Sequence, residues 1–142
     1  MKRIALVEDN PDNRLLVQAI LDGAYLIDEY ETTLARRLLD GLGRLPGVRI
    51  QGIASPDALS RRVPTVSFTV DRMAPAEIAK ALAARGIFVW SGHNYAVEPA
   101  RWLGVYEQGG VVRVGPVHYN SPDEIDRLLG ALEEILPRTA AA

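Results

Sequence analysis

Apolar residues repeat along this chain with two different periods, and the two alternate. That alternation restricts the fold more than any other feature. Helical spacing is clear from Thr32 to Leu45, where Leu34, Leu38, Leu39 and Leu42 share one face before Pro46-Gly47 stops it. Strand-like alternation follows in Val48–Ile53 and again in Thr65–Val70. The polar stretch Ser55–Val63 between them reads as a loop, with Arg61-Arg62 as a solvated charge pair. An alanine-rich helix is predicted over Pro75–Arg85, closed by Gly86 at the position after the helix where glycine is favoured. Ile87–Trp90 reads as a strand. Gly92–Gly110 reads as a long loop with a helical turn near Pro99–Leu103, and Val111–Val114 as the last strand. Ser121-Pro122-Asp123-Glu124 then forms a capping box with proline at the first helical position. Ile125, Leu128, Leu129, Leu132, Ile135 and Leu136 make one apolar face of the helix it opens. Alternating elements of both kinds predict a layered α/β sandwich. No linker or repeat divides residues 1–142, so a single domain is expected. A chain of this length buries about 68–70% of its unfolded surface.

The N-terminal third is harder to read. Lys2–Val7 is a short apolar run leading into Glu8 and Asp9, as in a buried parallel strand. Asn10 and Pro11 suit the cap and first turn of a helix with Leu15, Leu16, Ala19 and Ile20 as its stripe, and Gly23 as its stop. Tyr25–Tyr30 fits two structures. As a strand it puts Tyr25, Ile27 and Glu29 on one face. As a helix it continues a stripe through Leu16, Ile20, Ala24, Ile27, Leu34 and Leu38, at a cost of about 1 kcal/mol for Gly23 in mid-helix. A helix of some thirty-five residues is unusual in so small a domain. The strand is therefore expected, beside Lys2–Val7 in a mixed or parallel sheet reached by a right-handed crossover.

Composition removes several classes of function. Sixteen basic and eighteen acidic residues leave a net charge of −2, which argues against a nucleic-acid-binding surface. The chain has no cysteine, which excludes disulfides, a thiolate metal site and a cysteine nucleophile within it. His93 and His118 are the two histidines, and Lys2 and Lys80 the two lysines. No apolar run has the length of a membrane span. A soluble cytoplasmic protein is expected.

Two resemblances share the chain. Ile4-Ala-Leu-Val-Glu-Asp-Asn-Pro-Asp-Asn-Arg14 and Tyr25-Leu-Ile-Asp-Glu-Tyr-Glu-Thr32 resemble a response-regulator receiver domain, which is flavodoxin-like. The resemblance implies that residues 1 to about 31 form a β-α-β fragment, with Glu8 and Asp9 as a vestigial magnesium pair. From about 31 to 138 the chain resembles the C-terminal small domain of class V aminotransferases, in the cysteine-desulfurase-like branch. The carriers include Leu34-Ala-Arg-Arg-Leu-Leu-Asp-Gly-Leu42, Pro64-Thr-Val-Ser-Phe-Thr-Val70, Gly92-His-Asn-Tyr-Ala96, Val112-Arg-Val-Gly115 and Tyr119-Asn-Ser-Pro-Asp-Glu-Ile-Asp-Arg-Leu-Leu129. This second resemblance implies that Arg113 pairs with a substrate carboxylate and that His93 lies in the loop facing the cofactor. It also implies that Tyr95 stands where desulfurases carry their nucleophilic cysteine.

Neither family's chemistry is complete. A phosphorelay needs an acceptor aspartate after the third strand and a later lysine, and Ala54-Ser-Pro-Asp57 offers no such context. Pyridoxal-phosphate enzymes need a lysine for the aldimine, an acid at the pyridine nitrogen and a phosphate cup. The family keeps these in its large domain, and Lys80 lies on an amphipathic helix. The expectation is a non-catalytic engineered chimera of two fold fragments. Its fold would be a flavodoxin-like start joined to a pyridoxal-phosphate-transferase small-domain sheet. No cofactor is expected, and Arg113 with His93 would be a vestigial carboxylate site. Neither nucleic acid nor membrane is an expected partner, and self-association through the uncovered aminotransferase face is the one contact anticipated. The alternatives are a truncated small domain of a cysteine-desulfurase-like enzyme and a degenerate receiver domain.

Overall fold

The computed structural model describes residues 11–136. A long helix α1 (Pro11–Leu42) leads into strand β1 (Val48–Gln51), a 3-10 turn at Pro56–Arg61 and strand β2 (Val66–Val70). Helix α2 (Pro75–Ala83), strand β3 (Trp90–Gly92), helix α3 (Val97–Trp102), strand β4 (Val111–Val114) and helix α4 (Pro122–Ile135) complete the order. The strands form one antiparallel sheet in the order β1-β2-β4-β3.

Strand alternation divides the sheet into two faces. Val66, Phe68 and Val70 of β2 and Val112 and Val114 of β4 point to the core, where they are buried. Leu34, Leu38 and Leu42 of α1, Ile78 and Leu82 of α2, and Ile125, Leu128 and Leu132 of α4 close over them. Arg49, Ser67, Thr69 and Arg113 alternate onto the opposite face, the two arginines exposed and Ser67 and Thr69 part-buried. The result is a two-layer sandwich in which α1, α2 and α4 cover one face of the sheet.

Local chemistry sets most of the boundaries. Ser121 Oγ accepts from the Glu124 amide while Glu124 returns to the Ser121 amide at 2.8 Å, so the capping box stands as predicted. Gly86, at φ +70°, ends α2 in paired bonds from Gly86 N to Ala83 O and from Ile87 N to Leu82 O. α1 and α4 are tied by Arg37, whose guanidinium donates twice to Asp126 at 2.6 and 2.5 Å.

Several expectations need correction. Tyr25–Tyr30 is helix, the middle of α1, so no β-α-β unit ends there and the flavodoxin-like start is not formed by these residues. The reason is cooperativity: once Leu34–Leu42 is packed, extending the helix adds one hydrogen bond per residue without a new nucleus, whereas a strand needs a partner edge. The sheet is antiparallel throughout rather than mixed or parallel. Lys2–Val7, with Glu8 and Asp9, lies outside the described residues. The expected loop Ser55–Val63 contains the 3-10 turn, and Arg62 is not merely solvated. Its guanidinium donates to the carbonyls of Ile53 at 2.5 Å, Thr65 at 2.7 Å and Val63 at 3.0 Å, stapling the loop. Partial burial lowers its pKa from the ordinary arginine value. Trp90 and Trp102 are exposed.

Candidate functional site

The strand expected at Ile87–Trp90 begins only at Trp90, and this shift makes a cleft. β3 pairs with β4 through Trp90 opposite Arg113, Ser91 opposite Val112 and Gly92 opposite Val111. Continued in the same register, Ile87 would face Pro116, which has no amide hydrogen to give the ladder. Residues 87–89 therefore leave the sheet edge. Between them and the Val114–Pro116 segment opens a cleft of about 610 Å³, floored by Ile125 and Leu128 of α4. Its size is that of a small-molecule site.

Arg113 stands on the open face of β4, flanked in register by Ser67 of β2 and Trp90 of β3, and lines this cleft. Among the described residues no ion pair or side-chain hydrogen bond occupies its guanidinium. Two other charged groups of the cleft are committed elsewhere. Arg127 donates to the Arg85 carbonyl at 2.6 Å. Glu124 serves the α4 cap, and the Ser121 amide, then the Asn120 side chain, hold its carboxyl below its ordinary pKa. Arg113 is thus the cation left to meet a bound anion, and its planar fork suits a carboxylate.

The structure does not join His93 to Arg113. The His93 ring stacks on Tyr106 at 5.7 Å between centroids, and Arg101 lies 5.0 Å from the same tyrosine ring. His93 is not among the residues lining the cleft. His118 lies elsewhere, with Nδ1 3.2 Å from Glu31 of α1.

Three aromatic side chains line the same cleft as Arg113. Phe88 and Trp90 are two residues apart and both exposed, and Tyr95 is fully exposed at the same cleft. Tyr95 follows Asn94 in a turn closed by Ala96 N to His93 O at 2.8 Å, with φ values of +49° and +62°. That is the mirror-image hairpin turn in which the second position favours glycine. The sequence signal that pointed here was the Gly92–Ala96 segment of the aminotransferase resemblance, which singled out Tyr95 and not Phe88 or Trp90.

The residues present do not fit pyridoxal phosphate as a group held by this segment. Lys80, the one lysine among the described residues, is exposed on α2 and absent from the cleft lining, and the cleft carboxylate Glu124 is used by the cap. Among the described residues there is also no cluster of metal-ligating side chains, and no helix long and apolar enough to cross a membrane.

The family described as aminotransferase class-V matches residues 21–128. The aminotransferase-like protein FGM3 of Gibberella zeae is 38% identical over 113 residues, covering 78% of this chain and 27% of that protein. A probable cysteine desulfurase of Pseudomonas putida is 34% identical over 111 residues, 78% of this chain and 25% of the relative. Among solved structures, the apo cysteine desulfurase from Thermococcus onnurineus NA1 superposes with a TM-score of 0.70 at 34% identity, over 78% of this chain and 26% of that one. The chain spans about a quarter of the length of these relatives. The match includes residues 21–30, which the receiver resemblance had claimed, and runs unbroken through the seam expected at Tyr30-Glu31. With α1 also continuous there, the chimera reading loses both its strand and its boundary. A portion of a cysteine-desulfurase-like aminotransferase is the reading that the matches support.

Proposed function

Because this chain belongs to the class V aminotransferase family, we propose that it supplies the substrate-carboxylate half of such an enzyme's active site and itself carries no bond-making group. The observation that carries this is Arg113, unpaired among the described residues and set on the open sheet face at the mouth of the cleft. A guanidinium there takes both carboxylate oxygens at once and fixes the direction in which the rest of a substrate extends. The lysine, pyridine-nitrogen partner and phosphate cup that the chemistry requires belong, in this reading, to the remainder of a longer enzyme. That remainder, or a second copy of this chain, is the natural cover for the open face.

The test is direct. Titration with acetate should shift the Arg113 side-chain N–H and the neighbouring Trp90 indole resonances saturably, and Arg113→Gln should abolish the shift at Trp90. Added pyridoxal phosphate should give no saturable absorbance band and no transamination or desulfuration. Acetate shifts that persist in Arg113→Gln, or a saturable band lost in Lys80→Ala, would overturn the proposal.

A further inference from the structure

We infer that the ligand of this cleft is a carboxylate bearing a flat, aromatic substituent, with Trp90 and Tyr95 as the residues that select it. The inference rests on the carboxylate reading of Arg113 and adds the identity of what the carboxylate is attached to. Three observations support it. First, register places Trp90 directly opposite Arg113 on the same face, a pairing that brings Cβ atoms within about 5.5 Å. A molecule whose carboxylate is held by Arg113 therefore has an indole face beside it, 75% exposed. Second, Phe88, two residues before Trp90, is also exposed and lines the same cleft. Beyond the guanidinium the cleft is thus built to cover hydrocarbon, and rings stack best on rings. Third, Tyr95 is 100% exposed although its backbone sits in the left-handed region, where a side-chain-bearing residue is strained. Glycine would relieve that strain, so the side chain is held at the cleft against a local preference. The absence of any cysteine in the chain fits a ligand recognised by its shape rather than taken up through a thiol of this segment.

The probes are 3-phenylpropionate, propionate and 3-phenylpropionamide, titrated into the 142-residue chain while the Arg113 side-chain and Trp90 indole resonances are followed. Phenylpropionate should bind about tenfold more tightly than propionate, the gain expected of one ring stacked on another. Trp90→Ala should erase that ratio, Trp90→Phe should restore it, and Trp102→Ala should leave it intact. Tyr95→Gly should narrow the ratio while raising thermal stability. Equal affinity for the two acids would overturn this inference and leave the carboxylate reading standing. Binding of neither acid would overturn both, as would an amide that binds as tightly as its acid. Shifts at Trp90 that depend on protein concentration without ligand would assign the rings to a contact between copies, and would also overturn it.

Discussion

The two halves of α1 are one continuous helix with opposite fates. From Leu34 to Leu42 its apolar residues are buried, with Leu38 and Leu42 at 0% exposure. In the first half Ile20, Tyr25, Leu26 and Ile27 face water, with Ile20 at 61% and Leu26 at 65%. Tyr30 and Glu31 tie the helix to the segment before α4: the Tyr30 hydroxyl donates to the Asn120 carbonyl at 2.8 Å, and Glu31 accepts from the His118 amide. An apolar stripe at helical spacing thus says which side a helix would bury, and does not by itself say that anything lies against it.

Truncation should separate the halves most strongly. Leu38→Ala removes a fully buried side chain and should cost about 2–5 kcal/mol, whereas Leu26→Ala should stay within about 0.5 kcal/mol. Urea unfolding midpoints at unchanged slope are the measurement. A comparable loss at Leu26 would show that the first half is packed in solution and would break the contrast.

The two glycines of the helix give a finer test with opposite signs. A Cβ at Gly41 would run into the Leu129 side chain, because α1 and α4 approach closely there. Gly41→Ala should destabilise by about 1 kcal/mol, overpacking exceeding the gain in helix propensity. At Gly23 a Cβ meets nothing within 4 Å. Gly23→Ala should therefore stabilise by about 0.5–1 kcal/mol. Thermal midpoints moving in the same direction for both would contradict the close approach.

The smallest effect concerns the ion pair that anchors the packed half. Hydrogen bonding from Arg37, reinforced by its charge, holds the Asp126 carboxyl below its ordinary pKa. A lowered folded pKa means that the unfolded chain binds the proton more readily. Its stabilisation is present above the unfolded aspartate value of about 3.9 and lost as pH falls through the folded one. Arg37→Leu should flatten the fall in stability below about pH 4, with the remaining slope carried in part by Glu124, also lowered. Both partners of the pair are half-exposed, so salt should shrink the difference. An acid limb identical in the two proteins would remove Asp126 from the account.

What the sequence by itself determined was whatever is settled within a few residues, or by a period long enough to have one reading. The Ser121–Glu124 box and the glycine stop at Gly86 have partners within a few residues, and the core stripe of Leu34–Leu42 and the alternation of Thr65–Val70 have periods with one reading. The carboxylate role proposed for Arg113 rests on a longer resemblance than any local rule provides. Tertiary structure alone decided Tyr25–Tyr30, where propensity is nearly neutral and a packed neighbour tips the balance through helix propagation. It also decided where β3 begins, since Pro116 limits the ladder only once the register of β3 against β4 is fixed. The cleft follows from that register, and so does its aromatic wall. Exposure of Trp90, Phe88 and Tyr95 depends on which face the helices cover, a long-range choice that no residue type or spacing encodes.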